Sequence, residues 1–367
     1  MIQKSDDYYY DFDKMCLERF PDCWCYIVVG ARNRGKTYSA LKNRVLKKEN
    51  FIFIKRTNLD VNQMAAGGNV HSSKLDMDFE FDLSPFADIN DDMGWNIQAR
   101  KILDGLGGFW DFDEDNELKS KKPIGFIFSL NKVAKYKGFG GLRSCKYMIF
   151  DEFIAAPWER ISQEEGNQTM DLYKTVSRDR EHRGQPPLKL VCLANANDIS
   201  NPIFNTLDIV NDVCEMINQG KHIKVVRGIC IQLVEDNEDF YKIESESAIY
   251  KAMHNTEWGR MAFDNEFSRN DFTHVKKHIN LKNAIPVFAL KYKRETFYCW
   301  NRHGVYIMCY AKHNSEIVYD LSIEADIRRF YFSELFKLVD ATAANRCEFK
   351  TYKMYHLIFH FKELFKI

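Results

Sequence analysis

The stretch YIVVGARNRGKTYSA, residues 26–40, limits the possible folds of this chain more than any other segment. An apolar run ends at Gly30, and Gly35, Lys36 and Thr37 follow at the spacing of the phosphate-binding pattern G-x-x-x-x-G-K-[ST]. The run before Gly30 is typical of a buried strand, and the residues after Thr37 have helical periodicity. This order of strand, loop and helix predicts a turn whose backbone amides face a phosphate group.

Specific roles follow for the residues of this loop. The lysine of such a loop, here Lys36, contacts the β- and γ-phosphates of a nucleotide, and the hydroxyl of Thr37 binds Mg²⁺. A basic turn without any ligand is the alternative. The predicted nucleotide-binding residues are Gly30, Ala31, Arg32, Asn33, Arg34, Gly35, Lys36 and Thr37.

Size and composition set broad limits on the protein. At 367 residues the chain exceeds a comfortable single core, so we expect two domains. Lysine plus arginine (52) equals aspartate plus glutamate (52), so any contact with a nucleic acid must come from local basic patches. The ten cysteines stand singly in apolar runs, which indicates reduced thiols. The sequence has no signal peptide and no apolar run of about 20 residues, so we expect a soluble intracellular protein without a membrane partner.

Further apolar runs alternate with helical segments through residues 1 to about 205. The predicted strands after the glycine loop are FIFIKR (51–56), IGFIFSL (124–130), YMIFDEF (147–153) and LKLVCLANA (188–196). A predicted helix that ends at Gly184 connects the last two. Strands that alternate with helices are typical of a parallel α/β sheet covered on both faces. We interpret residues 60–120, which carry many acidic side chains, as an insertion that decorates this core.

The pattern changes beyond residue 205. The segment HIKVVRGICIQLV (222–234) predicts a pair of strands, and AIYKAMHNTEWGRMAFDNEF (248–267) predicts a short helical connector. Three closely spaced strands follow, IPVFALKYK, ETFYCW and GVYIMCY, and then two helical segments. Because short turns join the three strands, they should form an antiparallel meander. We therefore expect a second α/β domain of another type at about 265–367.

Two carboxylates follow the predicted strand YMIFDEF. Asp151 ends the strand and would bind Mg²⁺, and Glu152 could orient and deprotonate a water that attacks a γ-phosphate. The second carboxylate favours a hydrolase over a kinase, because a kinase must keep water away from the γ-phosphate. An ordinary acidic strand end is the alternative.

Asn195 and a group of arginines are further candidates. The strand LKLVCLANA could lie between the first predicted strand, which precedes Gly30, and the fourth, YMIFDEF. This position would place Asn195 beside the γ-phosphate. Asparagine at a strand end can also simply form a turn. Arg178, Arg180 and Arg183 lie near the end of the predicted helix before Gly184. They fit either a solvated basic helix end or an arginine finger that reaches a neighbouring subunit. Their spacing leaves both interpretations open.

The segment SLNKVAKYKGFGGLRSCKY, residues 129–147, is basic, aromatic and rich in glycine. Its cationic side chains could hold a phosphate backbone without reading the base sequence, and its glycines would allow a close approach. A flexible surface loop is the alternative. The predicted DNA contacts are Lys132, Lys135, Lys137 and Arg143.

The combination of these motifs resembles the DNA-packaging ATPases of phi29-like phages. The motifs are, in order, VVGARNRGKTY, FIFIKR, YMIFDEFI, TVSRDRE, LANA followed by NPIF, and TEWGRMAFDNEF. The resemblance covers most of residues 20–210 and resumes from 256 to about 310. It implies a P-loop ATPase domain of the additional-strand, catalytic-glutamate type at 1–208, a linker region at 209–264, and a ribonuclease H-like domain without nuclease residues at 265–367.

The same resemblance implies roles and partners. It makes Thr37 and Asp151 the metal ligands, Glu152 the catalytic carboxylate, Arg178 a finger that acts in trans, and Asn195 the sensor. The members of this family use ATP and Mg²⁺ in a ring motor that drives double-stranded DNA into a procapsid. We therefore expect a homo-oligomeric ring, a pentamer by resemblance, in the host cytoplasm and transiently on the portal of the procapsid. Whether a packaging RNA takes part stays open.

The C-terminal domain can also be judged from its own residues. Two-metal nucleases need carboxylates that bind their ions, and the ribonuclease H-like ones carry one of them in their first strand. The segment IPVFALKYK has no carboxylate and offers Lys291 instead. We therefore expect this domain to bind DNA or the portal without cutting DNA. A nucleotide-dependent DNA-binding switch and a terminase with residual nuclease activity are the alternative functions for the whole chain.

Overall fold

The computed structural model describes most of the chain. The described residues are 9–65, 68–72, 77–81, 83–136, 140–156, 159, 161–196, 199, 201–235, 242, 244–256, 259, 263, 273–276 and 278–367. The chain divides into two compact units. One comprises Met1–Leu207 with Met216–Ser268, and the other comprises Asp208–Glu215 with Arg269–Ile367.

The strands belong to two large sheets and one hairpin. They are β1 (Cys25–Val29), β2 (Phe51–Lys55), β3 (Gly68–Ser72), β4 (Met77–Phe81), β5 (Ile97–Leu103), β6 (Leu106–Asp111), β7 (Gly125–Ser129), β8 (Tyr147–Asp151), β9 (Lys189–Ala194), β10 (Ile223–Val226), β11 (Ile229–Leu233), β12 (Ile285–Tyr292), β13 (Glu295–Arg302), β14 (Val305–Cys309), β15 (Val318–Asp320) and β16 (Cys347–Phe349). The isolated hairpin is β3–β4.

Helices connect and cover these strands. The α-helices are α1 (Lys36–Leu46), α2 (Asn58–Ala65), α3 (Ala87–Met93), α4 (Glu165–Ser177), α5 (Pro202–Leu207), α6 (Val210–Gln219), α7 (Ala248–Met253), α8 (Glu324–Phe330), α9 (Phe336–Ala343), α10 (Tyr352–Phe359) and α11 (Phe361–Phe365). Short 3₁₀ helices span Leu130–Tyr136 and Glu181–Arg183, and π-helical turns span Asp13–Leu17 and Tyr331–Leu335. Within the described residues, no helix is long and apolar enough to cross a membrane.

The first unit contains a nine-stranded sheet in the order β10-β11-β1-β9-β8-β2-β7-β6-β5. The six strands from β11 to β7 in this order run parallel, which confirms the predicted parallel α/β core. Strand β9 pairs with β1 on one side and β8 on the other, so the predicted insertion of this strand between the first and the fourth is also confirmed. This order brings the carboxyl ends of β1, β8 and β9 next to one another.

Continuous apolar sequences explain why these strands are central. All residues of β1 are buried, as are the first four residues of β2 and of β8. Strands that are buried on both faces need apolar side chains at every position rather than at alternate ones. All ten cysteines of the chain are free and buried, and six of them lie in strands, namely Cys25, Cys192, Cys230, Cys299, Cys309 and Cys347.

The interpretation of residues 60–120 as a decoration of the core was wrong for its second half. Strand β6 pairs antiparallel with β7, and β5 pairs antiparallel with β6, so both extend the sheet. Ile97, Phe109 and Phe86 are buried in the main hydrophobic core. Except for Asp111, the acidic residues of this range lie outside β5 and β6, and their number kept us from recognising the two strands in the sequence.

Residues 209–264, the predicted linker region, contain α6, β10, β11 and α7. The expected strand pair in HIKVVRGICIQLV is confirmed, because β10 and β11 form an antiparallel pair. Strand β11 also pairs in parallel with β1. The segment Met216–Ser268 accordingly groups with the first unit.

The second unit is built on a five-stranded sheet in the order β15-β12-β13-β14-β16. The predicted antiparallel meander is confirmed as β12–β13–β14, while β15 runs parallel to β12 and β16 parallel to β14. Buried aromatic side chains of β12 and β13 pack with those of the C-terminal helices, among them Phe288, Phe297, Phe330 and Phe361. On β12, Lys291 lies opposite Asp320, with 3.9 Å between Nζ and Oδ2.

Candidate active site

The loop between β1 and α1 has the geometry of a phosphate-binding turn. Gly35 has φ +78° and immediately precedes the first residue of α1. A side chain is strained in this left-handed region, so glycine suits the position where the chain turns into the helix. The first backbone amides of α1 have no partner within the helix and can bind an anion.

Lys36 is held inside this loop. Its Nζ donates to the backbone oxygens of Gly30 (2.9 Å) and Ala31 (2.6 Å) and to Oδ1 of Asn195 (3.3 Å). Burial lowers the pKa of Lys36 to about 8; the carboxylate of Asp151 opposes this effect, and the nearby guanidinium of Arg34 adds to it. The lysine thus points into the loop beside the predicted sensor residue.

Thr37 and Asp151 meet at the end of β8. The hydroxyl of Thr37 donates a hydrogen bond of 2.9 Å to Oδ1 of Asp151. Burial raises the pKa of Asp151, while the nearby charge of Lys55 and this hydrogen bond lower it. A hydroxyl and a carboxylate oxygen are the donors that Mg²⁺ prefers, so the two residues predicted as metal ligands form a suitable donor set.

Glu152 lies next to this pair with an exposed side chain. Its φ is +55°, which is unusual for a residue other than glycine and costs about 1–3 kcal/mol. Its backbone N–H donates to Oδ1 of Asp151 at 3.1 Å. The strained backbone turns the chain sharply after Asp151 and leaves the carboxylate of Glu152 accessible to water.

Arg56 holds the backbone of Glu152, a role that the sequence analysis missed. Its Nη2 donates to the backbone oxygen of Glu152 at 2.6 Å, and its Nε donates to the buried carboxylate of Glu165 at 2.8 Å. Burial raises the pKa of Glu165 and the charge of Arg56 lowers it. The signal was present in the sequence, because Arg56 directly follows β2, the neighbour of β8 in the sheet.

These residues surround a cavity of about 290 Å³. It is lined by residues 32–38 and by Asp151, Glu152, Ala194 and Asn195. The Nε atom of Arg32 is buried at this loop and has no hydrogen-bond partner among the described residues, so it is available to an anionic ligand. An adjacent cavity of about 400 Å³ shares Asp151 and Glu152 and is also lined by Arg56.

The three arginines after α4 differ in their surroundings. The predicted helix up to Gly184 was wrong in its last part: α4 ends at Ser177, and Arg178 has φ +42° and lies just past the helix. Nε of Arg178 donates to the backbone oxygen of Thr175 at 3.2 Å. Arg178 is not among the residues that line the cavity of its own chain.

Arg180 and Arg183 have roles within their own chain. Arg180 is buried and donates to the backbone oxygens of Arg143 and Cys145. Arg183 is exposed and forms an ion pair with Asp179, as a solvated helix end would. Arg178 is half-buried and also bonds within its own chain, so its role as a finger that acts in trans stays a prediction.

The predicted DNA contacts occupy the segment before β8. Lys132 and Lys135 lie on the 3₁₀ helix Leu130–Tyr136, and each forms an ion pair with Asp104. Arg143 is exposed. Lys137 lies outside the described residues.

The sequence of residues 128–356, more than half of the chain, matches the family described as Podovirus DNA encapsidation protein (Gp16). The chain belongs to this family. The DNA packaging protein of Bacillus phage B103 is 26% identical to this family member over 283 residues, which cover 74% of this chain and 73% of the relative. The DNA packaging protein of Bacillus phage PZA is 26% identical over 181 residues, which cover 48% of this chain and 50% of the relative.

Two solved structures share the fold of this Gp16 family member over nearly its full length. The bacteriophage Phi-29 viral genome packaging motor assembly matches 97% of this chain and 99% of that chain, with a TM-score of 0.64 and 21% identity. The Phi-28 gp11 DNA packaging motor matches 99% of both chains, with a TM-score of 0.61 and 15% identity.

Proposed function

We propose that this protein is an ATP-hydrolysing ring motor that moves double-stranded DNA into a procapsid. The observation that carries the proposal is the convergence of Lys36, Thr37, Asp151, Glu152 and Asn195 on one cavity at the carboxyl ends of β1, β8 and β9. Membership of a DNA encapsidation family supports DNA as the substrate of the motor.

Each side chain has a defined task in hydrolysis. Lys36 and the amides at the start of α1 bind the β- and γ-phosphates and stabilise negative charge as it develops. The exposed carboxylate of Glu152 accepts a proton from a water as the water oxygen bonds to the γ-phosphorus, and the bond to the β-phosphate oxygen breaks. The side-chain amide of Asn195 would contact the γ-phosphate. Through its hydrogen bond with Lys36, Asn195 would signal to the loop whether the γ-phosphate is present.

Thr37 and Asp151 would hold Mg²⁺, which supplies charge neutralisation for the phosphates when bound. Their direct hydrogen bond brings the two oxygens within 2.9 Å of each other, which supports a shared site for the ion. Burial of Asp151 makes its charge costly without a cation nearby, so the residues fit the ion.

The assembly belongs to the same proposal. A ring of identical chains, pentameric by resemblance, would sit on the portal of a procapsid in the host cytoplasm, with Arg178 of one chain completing the active site of the next. The family resemblance supports a ribonuclease H-like fold for the second unit. The first strand of this unit carries Lys291 and no carboxylate, which supports a domain that binds DNA or the portal without cutting DNA.

The test compares Glu152→Gln and Lys36→Ala with the wild type. We expect Glu152→Gln to bind ATP with Mg²⁺ but to hydrolyse it about 10²- to 10⁴-fold more slowly, because only the proton acceptor is lost. Lys36→Ala should fail to bind ATP. Glu114→Gln, the same change at an exposed carboxylate, should have wild-type turnover. Normal hydrolysis by Glu152→Gln would refute the assigned role.

DNA separates the alternative functions. A motor should show ATP turnover that double-stranded DNA stimulates, and procapsids mixed with it should protect DNA from added nuclease. Turnover that DNA leaves unchanged would instead favour a nucleotide-dependent binding switch. Metal-dependent nicking of circular DNA by the purified protein would favour a terminase.

The proposed role of Arg178 is tested by mixing two inactive variants. If Arg178 acts in trans, Arg178→Ala should lose about 10³-fold or more in turnover, and Glu152→Gln about 10²- to 10⁴-fold. A mixed ring contains sites in which an intact Glu152 meets an intact Arg178 of the neighbour, so mixing should restore part of the turnover. If the rings form and turnover stays at the level of the separate variants, the assignment in trans is wrong.

A further inference from the structure

The two described lysines of the basic segment point at one carboxylate. Asp104 lies in the turn between β5 and β6, far from Lys132 and Lys135 in sequence. Its Oδ2 is 3.1 Å from Nζ of Lys132 and 3.2 Å from Nζ of Lys135. Its Oδ1 accepts a hydrogen bond of 2.7 Å from the side-chain amide of Asn58.

The donors around Asp104 form a site for an oxyanion. Two ammonium groups and one amide from separate elements meet at a single carboxylate, and the hydroxyl of Tyr136 donates to the backbone oxygen of Asp104 at 2.5 Å. Lysine and amide groups are also the donors that contact the phosphates of a DNA backbone. The hydrogen bonds from Lys132 and Lys135 lower the pKa of Asp104 to about 2, so the carboxylate is ionised at neutral pH.

The site is open to solvent. The side chains of Lys132, Lys135 and Asp104 are 32%, 59% and 41% exposed. Ion pairs at such positions are weak, because water screens them and both side chains lose freedom. A phosphate that approaches this surface can therefore take the place of the carboxylate at modest cost.

We propose that Asp104 acts as a built-in competitor of DNA: its carboxylate occupies Lys132 and Lys135 in the free protein, and a backbone phosphate of double-stranded DNA replaces it on binding. This inference rests on the proposed function and adds a regulation of the same DNA contact. The competitor keeps the lysines in place between binding events and lowers the affinity for DNA, which suits a protein that must release and rebind DNA repeatedly.

Asp104→Asn tests the competition with little change to the turn. Asparagine is accepted in turns as readily as aspartate and keeps an acceptor for Asn58. Asp111→Asn is the matched control. It removes the same charge at the other end of β6, where Asp111 pairs with Lys119 at 3.0 Å.

The measurement is the dissociation constant of a fluorescent double-stranded oligonucleotide between about 50 and 200 mM salt. Each exposed pair weakens DNA binding by a factor of about 1.5 to 5, so Asp104→Asn should bind about 2- to 25-fold more tightly than the wild type. The slope of log Kd against log salt should stay within about 0.9, one phosphate contact, of the wild-type slope, because both lysines contact phosphates in the complexes of the wild type and of the variant. Asp111→Asn should change the dissociation constant less than about twofold.

Two results would overturn the inference. One is equal affinity of Asp104→Asn and Asp111→Asn, because the gain would then be a general effect of charge. The other is a gain from Asp104→Asn that persists when Lys132 and Lys135 are both alanine. In either case, DNA-stimulated turnover of the wild type would leave the proposed motor function standing. A wild type that binds no DNA would remove both proposals.

Discussion

Lys36 should give ATP binding a dependence on pH that an exposed lysine would not. Burial lowers its pKa to about 8 in the ligand-free protein. The phosphates of ATP stabilise the charged ammonium, so the pKa rises when the nucleotide binds. Since the charged form binds ATP better, affinity should be constant well below pH 8 and should fall as the pH rises above 8.

The size of this effect follows from the fraction of Lys36 that is charged. With a pKa of about 8, roughly nine tenths of the protein carries the charge at pH 7 and roughly one tenth at pH 9. Binding at pH 9 then requires uptake of nearly one proton, and the dissociation constant should be about tenfold higher than at pH 7. A lysine with the ordinary pKa of about 10.4 would change the constant by only a few per cent over this range.

Isothermal titration calorimetry can measure both quantities. A slowly hydrolysed ATP analogue with Mg²⁺ would be titrated at pH 7 and pH 9, in two buffers whose ionisation enthalpies differ. The observed enthalpy should depend on the buffer at pH 9 and hardly at all at pH 7. Lys36→Met is the control, because any binding that it retains should not change with pH. Equal constants at both pH values, with no proton uptake, would refute the reasoning.

Further predictions concern stability and can be measured by urea unfolding. Arg44 is 1% exposed and pairs with Asp13 and Glu49, so Arg44→Met should lower the free energy of unfolding by about 3–5 kcal/mol because Asp13 stays buried without it. Lys47→Met, at a half-exposed partner of Asp13, should cost less than about 1 kcal/mol, and equal losses would argue against this account. Gly166→Ala should cost about 1–3 kcal/mol, because a Cβ at Gly166 would lie 2.4 Å from the backbone oxygen of Pro202. As a control, Gly140→Ala should change the free energy of unfolding by less than about 0.5 kcal/mol, since the nearest atom to its Cβ is 3.7 Å away. If Gly166→Ala does not lower the free energy of unfolding, α4 can shift to make room for the methyl group.

The parts of the fold that the sequence predicted are those where one residue type dominates a run. Strands β1, β2, β8 and β9 are continuous apolar segments, and their alternation with helices is sufficient to predict a parallel sheet. Their order predicted Asn195 beside the γ-phosphate, and in the structure its Oδ1 lies 3.3 Å from Nζ of Lys36, the residue predicted to contact that phosphate. The bond between Thr37 and Asp151 likewise follows from two motifs that each end at the same edge of the sheet.

The parts that were missed depend on contacts between distant segments. Strands β5 and β6 contain charged residues and glycines, and they are strands because β7 offers an edge to pair with. The end of α4 at Ser177 has no glycine to mark it, since Arg178 itself adopts the positive φ. Asp104 belongs to a short turn without any motif, and only the fold brings it to Lys132 and Lys135.

The position of β11 determines how early in synthesis the nucleotide-binding strand can be protected. Strand β1 lies between β9 and β11, so one of its edges stays unpaired until residue 233 has left the ribosome. An unpaired, wholly apolar edge invites pairing with another chain. A fragment that stops at residue 208 should therefore aggregate, whereas one that continues to residue 268 should stay dispersed. During synthesis, β1 is protected against pairing with another chain only after the first part of the C-terminal half has emerged.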